Sequence, residues 1–135
     1  MNLCIVFDRE TEALPTLPTE AGDAVSWIPA DAGFERRLAE HRPAIVVLDL
    51  RRQSVQAGEI VARVRFSVPD ASVLAIGPPH DIAAAESAMR AGAAGYITRC
   101  ANLPPALQSM RCERMFVSST GAKAVARRLA RLREE

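Results

Sequence analysis

The stretch Ala44-Ile45-Val46-Val47-Leu48-Asp49 decides the fold. Five apolar residues, with three β-branched side chains in succession, run into a single carboxylate. A short continuous apolar run of this kind reads as a strand buried on both faces, as in a parallel sheet covered by helices. In an open α/β sheet the ligand crevice lies outside the carboxyl ends of the strands. Asp49 falls at such an end, where its charge can be solvated while the strand behind it stays dry. It is the first candidate for a functional residue, set against the plainer reading of a strand-end carboxylate that caps a loop.

The pattern recurs on either side. Upstream, Asn2 to Phe7 is an apolar, β-rich strand that ends at Asp8. Residues 9–22 are expected to cross back over the sheet as a helix, with Leu14, Leu17 and Ala21 at helical spacing. Pro15 and Pro18 make that helix short or broken, since each removes a backbone donor and clashes with the preceding turn. Ala24 to Ile28 is a shorter strand stopped by Pro29. Asp31 is a candidate N-cap for a helix through about Glu40, with Phe34, Leu38 and His41 on one face, and Pro43 ends it. Downstream, Arg51-Arg52-Gln53-Ser54 is a polar loop, and residues 57–66 read as a helix with Ile60, Val61 and Val64 inward. Ser72 to Ile76 is another buried strand, closed by Gly77-Pro78-Pro79. Asp81 caps a helix through Arg90, and Gly92 suits its left-handed C-terminal position. Ala93 to Thr98 is the fifth strand. Asn102 caps the next helix, which has Pro104 just inside its start and carries Leu103, Leu107 and Met110. A connector at Met115-Phe116-Val117 then leads to a last helix from Ser119 or Thr120 to Glu135.

Strands alternating with helices imply a parallel sheet with helices on both faces. The expected fold is a flavodoxin-like, doubly wound α/β domain with five strands in the order 2-1-3-4-5 and an added C-terminal helix. Residues 1–117 form the domain in this reading, and residues 118–135 an amphipathic helix that links or dimerises. The 135 residues suit one core. Nearly half the residues are apolar and about a quarter charged, which is ordinary globular composition. The net charge of +1 gives no strong pull toward nucleic acid or membrane, although residues 111–135 carry +4 and residues 1–110 carry −3. Three cysteines (Cys4, Cys100 and Cys112) at wide spacing argue against a disulfide framework or a zinc site. With no apolar run of transmembrane length and no signal-peptide pattern, the expected location is the cytoplasm.

Asp8 and Asp49 end the first and third strands, and the fourth helix runs into Ala88-Met89-Arg90-Ala91-Gly92-Ala93-Ala94-Gly95-Tyr96-Ile97-Thr98-Arg99. On these residues the chain resembles the CheY-like receiver domain of two-component response regulators. In that family A-x-x-x-G-A-x-G-Y precedes a characteristic lysine at the end of the fifth strand. The landmarks span about residues 2–112, and the style is nearest to receivers of regulators with helix-turn-helix output, the NarL/LuxR type. The resemblance implies a non-enzymatic signalling module of a phosphorelay, supplied by a histidine kinase and serving transcription regulation. It places the phosphoacceptor at Asp49 and the switch aromatic at Tyr96. A carboxylate attacking a phosphoryl group brings like charges together, so a metal ion must bridge both. The family supplies two acidic residues after the first strand, a main-chain carbonyl two residues beyond the nucleophile, a Thr or Ser after the fourth strand and a Lys after the fifth.

This sequence departs from that pattern in a consistent direction. The acidic pair is Asp8-Arg9, with Glu10 one residue further on. The Thr/Ser position is Gly77, the Lys position is Arg99, and Arg51 lies in the loop after Asp49. Asp8 and Asp49 would therefore face Arg9, Arg99 and Arg51. Nearby cations stabilise an ionised carboxylate and repel a divalent metal. The expectation is a degenerate pocket with no cofactor, in which an arginine takes the place of the metal on Asp49. The alternative keeps a working regulator, with Mg²⁺ on Asp8 and Asp49 and with Glu10 or water completing the shell.

Other readings concern contacts. The alanine-rich helix and its neighbours, residues 80–112, form the face that receivers commonly use for protein partners and dimers, although alanine also simply favours helix. Ala122, Val125, Leu129 and Leu132 recur at 3-4-3 spacing as one apolar stripe, flanked by Lys123, Arg127, Arg128 and Arg131. That stripe suits a homodimer or self-packing, and the basic patch is too small for direct nucleic-acid binding. From a different class, a small enzyme or cofactor binder on the same scaffold remains open. Against it, Asp8-Arg9-Glu10-Thr11-Glu12 is acidic where a phosphate loop would be glycine-rich.

Overall fold

The structure, a computed structural model, describes residues 1–7, 22–51 and 57–120, the side chains at 100 and 114–120 excepted. Five parallel strands make one sheet: β1 (Asn2–Phe7), β2 (Ala24–Pro29), β3 (Ile45–Asp49), β4 (Ser72–Ile76) and β5 (Gly95–Ile97). Their spatial order is β2-β1-β3-β4-β5, as the alternating pattern predicts. The helices among the described residues are α1 (Phe34–His41), α2 (Ala57–Ser67), α3 (Ile82–Arg90) and α4 (Leu103–Thr120), the last preceded by a 3-10 turn over Cys100–Asn102. The helix expected after β1 falls on residues 8–21, outside the described residues.

The apolar run of β3 holds the centre. Its four apolar side chains, Ile45 to Leu48, are all 0% exposed. Alternation along the strand divides them between two cores. Val46 and Leu48 join Cys4, Val6, Val73 and Ala75 beneath α1, α2 and α3. Ile45 and Val47 join Leu3, Ile5, Leu74 and Ile76 beneath Leu103, Leu107 and Met110 of α4. Each such side chain contributes about 1.5–3 kcal/mol when fully withdrawn from water. Burial also pushes the Cys4 thiol up to about 11, so it stays protonated at neutral pH and behaves as a core residue.

The alanines of α3 have an internal use. Ala84 and Ala88 are buried, and a Cβ on Gly58 of α2 would stand 2.1 Å from Ser87 Oγ. Small residues thus let α2 and α3 approach closely. Asp81 caps α3, its Oδ1 accepting from the Ala84 amide at 2.9 Å, and Gly92 follows with φ +108°. The large apolar side chains that α3 leaves in solvent are Ile82 and Met89.

Three local expectations are corrected. Asp31 does not cap α1: Gly33 holds the N-cap position in a left-handed conformation, and Asp31 pairs with Arg37 instead. β5 is shorter than residues 93–98, because its ladder with β4 runs only from Gly95 to Ile97. The connector at residues 115–117 does not exist, since α4 continues without a break to Thr120. No Gly or Pro interrupts the sequence between Pro105 and Gly121, so nothing there stops the helix.

Sequence reading also missed one long-range contact. Arg111, on the inward face of α4, is 5% exposed and forks onto Asp23 just before β2, with N–O distances of 3.1 and 2.6 Å. Removing one partner of a buried ion pair is strongly destabilising, and the Met1 ammonium, 3.7 Å from Asp23 Oδ1, replaces only part of the lost fork. Arg111→Ala is expected to cost about 3 kcal/mol in denaturant unfolding. Phe66→Ala, at a side chain 89% exposed, should stay within about 0.5 kcal/mol. Equal losses at the two positions would contradict this account.

Candidate functional site

β3 delivers Asp49 to its carboxyl end. The backbone there is fixed by register: Asp49 lies opposite Ile76, and the Leu50 amide donates to the Ile76 carbonyl at 2.7 Å. The Asp49 side chain is only 2% exposed. A buried carboxylate is costly unless it is paired and hydrogen-bonded, and the chain supplies its partner two residues later. Arg51 Nε donates to Oδ1 at 2.9 Å and Nη2 to Oδ2 at 2.7 Å. The Arg51 amide adds a longer contact to Oδ1 at 3.3 Å. This is a bidentate guanidinium fork, with geometric specificity as well as charge.

The turn after β3 explains the contact. Leu50 is buried at 3% exposure and continues into the core. Residue 51 lies in the turn that follows, and its side chain folds back over the strand end. The Arg51 side chain retains partial access to water, with 23% exposure. Of the two arginines among the described residues that the sequence offers for Asp49, Arg51 is the one in contact. Arg99 is exposed, and no ion pair joins it to Asp49 among the described residues. Arg9, with Asp8 and Glu10, lies outside the described residues.

At the neighbouring strand ends, Gly77 and Tyr96 meet. Tyr96 lies on β5 opposite Ala75, and the Gly77 amide donates to the Ile97 carbonyl at 3.0 Å. The Tyr96 ring packs against the α1–α3 side of the core. Its hydroxyl is buried without a hydrogen-bond partner among the described residues. Burial, and after it the charge of Asp81, pushes the Tyr96 phenol above its usual value of 10.0.

For the divalent ion that a receiver-like fold implies, Asp49 is the one described residue of the expected donor set, since Asp8 and Glu10 lie outside the described residues. Both Asp49 oxygens face a guanidinium, and among the described residues no three His, Cys, Asp or Glu side chains gather to hold a metal. The other feature of note is a shallow hollow of about 360 Å³ between α1 and α2, lined by Glu35, Glu59, Arg63 and Phe66. Asp49 is not among its lining residues, and the Arg63 guanidinium stacks over the buried Phe34 ring at 5.1 Å.

Five parallel strands in the order β2-β1-β3-β4-β5, flanked by helices, make a flavodoxin-like fold of the CheY type. No protein-family model and no curated protein sequence matches the chain. Solved structures do. A response regulator from Thermotoga maritima superposes with a TM-score of 0.59 at 17% identity, covering 80% of this chain and 95% of that one. A CpaE2 pilus assembly protein from Sinorhizobium meliloti gives 0.54 at 15% identity, covering 84% and 98%. A response regulator from Burkholderia pseudomallei, with a phosphorylated aspartic acid and a calcium ion, gives 0.54 at 17% identity, covering 99% and 86%. At these identities the likeness is one of fold. No helix among the described residues is long and apolar enough to cross a membrane.

The raised Tyr96 phenol makes alkaline stability a direct readout of the site. The unfolded chain gives up this proton near pH 10, while the folded chain holds it to higher pH. The neutral ring therefore contributes stability that is complete below pH 10 and is lost as pH rises through the folded value. Tyr96→Phe should abolish this contribution to the decline above pH 10, measured by urea unfolding at stepped pH. An unchanged alkaline slope in the variant would show that Tyr96 titrates as an exposed phenol.

Proposed function

We propose that this chain is a receiver-like signalling module that acts through protein contacts and does not depend on phosphorylation. The observation that carries the reading is the Arg51 fork on the buried Asp49 carboxylate. A phosphoacceptor must present a free carboxylate oxygen beside a bridging metal. At Asp49 both oxygens are engaged by a fixed cation of the chain itself, at distances typical of charge-assisted bonds. An incoming Mg²⁺ would have to displace that guanidinium and would meet its charge.

Residues 80–112 supply the partner face in this reading, with Ile82 and Met89 as its exposed apolar side chains. The output is protein contact in the cytoplasm, with transcription regulation as one destination. The fold is shared with a pilus assembly protein as well as with response regulators, which fits a scaffold serving several outputs. Residues 118–135 act as linker or dimerisation segment through the stripe Ala122, Val125, Leu129 and Leu132.

Titrating Mg²⁺ against Trp27 and Tyr96 fluorescence should give no saturable change at millimolar concentration. Incubation with acetyl phosphate should leave no phosphoryl adduct by intact mass. Arg51→Ala, which frees both Asp49 oxygens, is expected to gain affinity for the ion. Saturation of the unmodified chain together with an adduct mapped to Asp49 would establish the working regulator instead, metallated through Asp49 and Asp8. Light scattering tests the last segment separately: a dimer should become monomeric when Leu129 and Leu132 are both changed to Asp. Equal masses before and after the change would remove that role.

A further inference from the structure

Gly77 does not owe its identity to backbone conformation. The described residues with positive φ are Gly22, Gly33, Arg42, His80 and Gly92, and Gly77 is not among them. Its requirement is space. A Cβ built on Gly77 would stand 1.7 Å from Tyr96 Oη, 2.3 Å from Cζ and 2.7 Å from Cε2. These distances are below any tolerable contact, so the phenol end of Tyr96 fills the volume that a side chain at residue 77 would occupy. Neither partner can retreat easily. The Gly77 amide is tied to the Ile97 carbonyl at 3.0 Å, and Tyr96 sits on the same strand as Ile97, in register with Ala75.

No hydrogen bond among the described residues holds the ring there, since its buried hydroxyl has no partner. Leaving such a group unsatisfied is unfavourable, and steric fit and core contact have to outweigh that cost. The ring packs on the core cluster that also contains Ala75, Ala84 and Ala88. Moving it out would open a void at the end of β4, which the surrounding backbone is too well fastened to close.

We propose that Gly77 is a permanent seat for Tyr96, holding the ring inward so that the surface of α3, β5 and α4 is presented in a single form. The inference rests on the reading of the chain as a signalling module independent of phosphorylation, and it adds to the Arg51 fork a second physical reason for that independence. Residue 77 immediately follows Ile76, which lies opposite Asp49. A rearrangement starting at Asp49 and travelling along the end of β4 meets a position that is already filled. The partner face is then set by packing and is insensitive to the state of the carboxylate.

A double-mutant cycle on the full chain tests the seat. Gly77→Ala in the native background should lower the thermal midpoint by several degrees, because the new methyl and the ring compete for one volume. In a Tyr96→Ala background, where the ring is gone, the same substitution should lower it by little or nothing. Folding of the double variant where Gly77→Ala alone fails to fold would support the seat equally. Equal penalties in both backgrounds, including failure to fold in both, would overturn it, and so would the absence of a penalty in the native background. A second readout uses the chain's single tyrosine. Phenolate absorbance should titrate late in the native chain and move back toward pH 10 in Gly77→Ser, with Tyr96→Phe giving no signal. Identical titrations in the native and Gly77→Ser chains would also overturn the seat. Phosphorylation of Asp49 with the tyrosine titration unchanged would defeat the functional reading and leave the seat standing, so the two failures are distinguishable.

Discussion

A strand buried on both faces can place a charge only at its end, and that charge still needs a counter-charge. This constraint governs the molecule. Residues 45–48 are wholly withdrawn from water and commit the sheet to helices on either side. Asp49 is the first residue that can be polar, yet it remains nearly buried. Of the two ways to neutralise a carboxylate in such a place, a bound metal or a basic side chain, the second is built into the following turn. The pairing spans two residues and therefore needs little chain ordering beyond the turn itself. Its planar fork fixes the carboxylate's orientation as well as its charge.

Much of this is legible in the sequence because the signals are local. The apolar runs give the strands, and Asp81 and Gly92 mark both ends of α3 by cap chemistry that acts within a few residues. The spacing of Ile60, Val61 and Val64 places the buried face of α2. Asp31 misleads for an equally local reason: a carboxylate ahead of a helix can cap it or pair with a basic residue one turn inside, and here Arg37 takes it. For Asp49 the sequence offers Arg9, Arg51 and Arg99 without ranking them. Between Arg51 and Arg99 the turn geometry makes the choice, and residues 8–10 lie outside the described region.

Contacts between distant positions are less legible. Gly77 and Tyr96 each stand out as departures from, or matches to, a receiver pattern. That one fills the other's missing volume depends on the register Ala75 opposite Tyr96, which no periodicity reveals. Arg111 likewise looks like an ordinary cation, one of two on α4. Only its position, four residues after Leu107 and one after Met110 on the sheet-facing side, hints that it is turned inward to Asp23. The two arginine forks thus differ in kind. One closes a turn, and the other fastens a helix to the opposite edge of the fold.

That second fastening has a consequence for whatever lies beyond it. From Arg111 the same helix continues nine residues to Thr120, about 14 Å at the ordinary rise per residue. A helix pinned at Leu103, Leu107, Met110 and Arg111 cannot turn about its axis independently of the sheet. Its far end therefore has an angular phase set by the domain. Each residue inserted or deleted between Arg111 and Thr120 would rotate everything after it by about 100°. The length of α4 is thus a coordinate in its own right: it decides the direction in which the chain leaves the domain at Thr120.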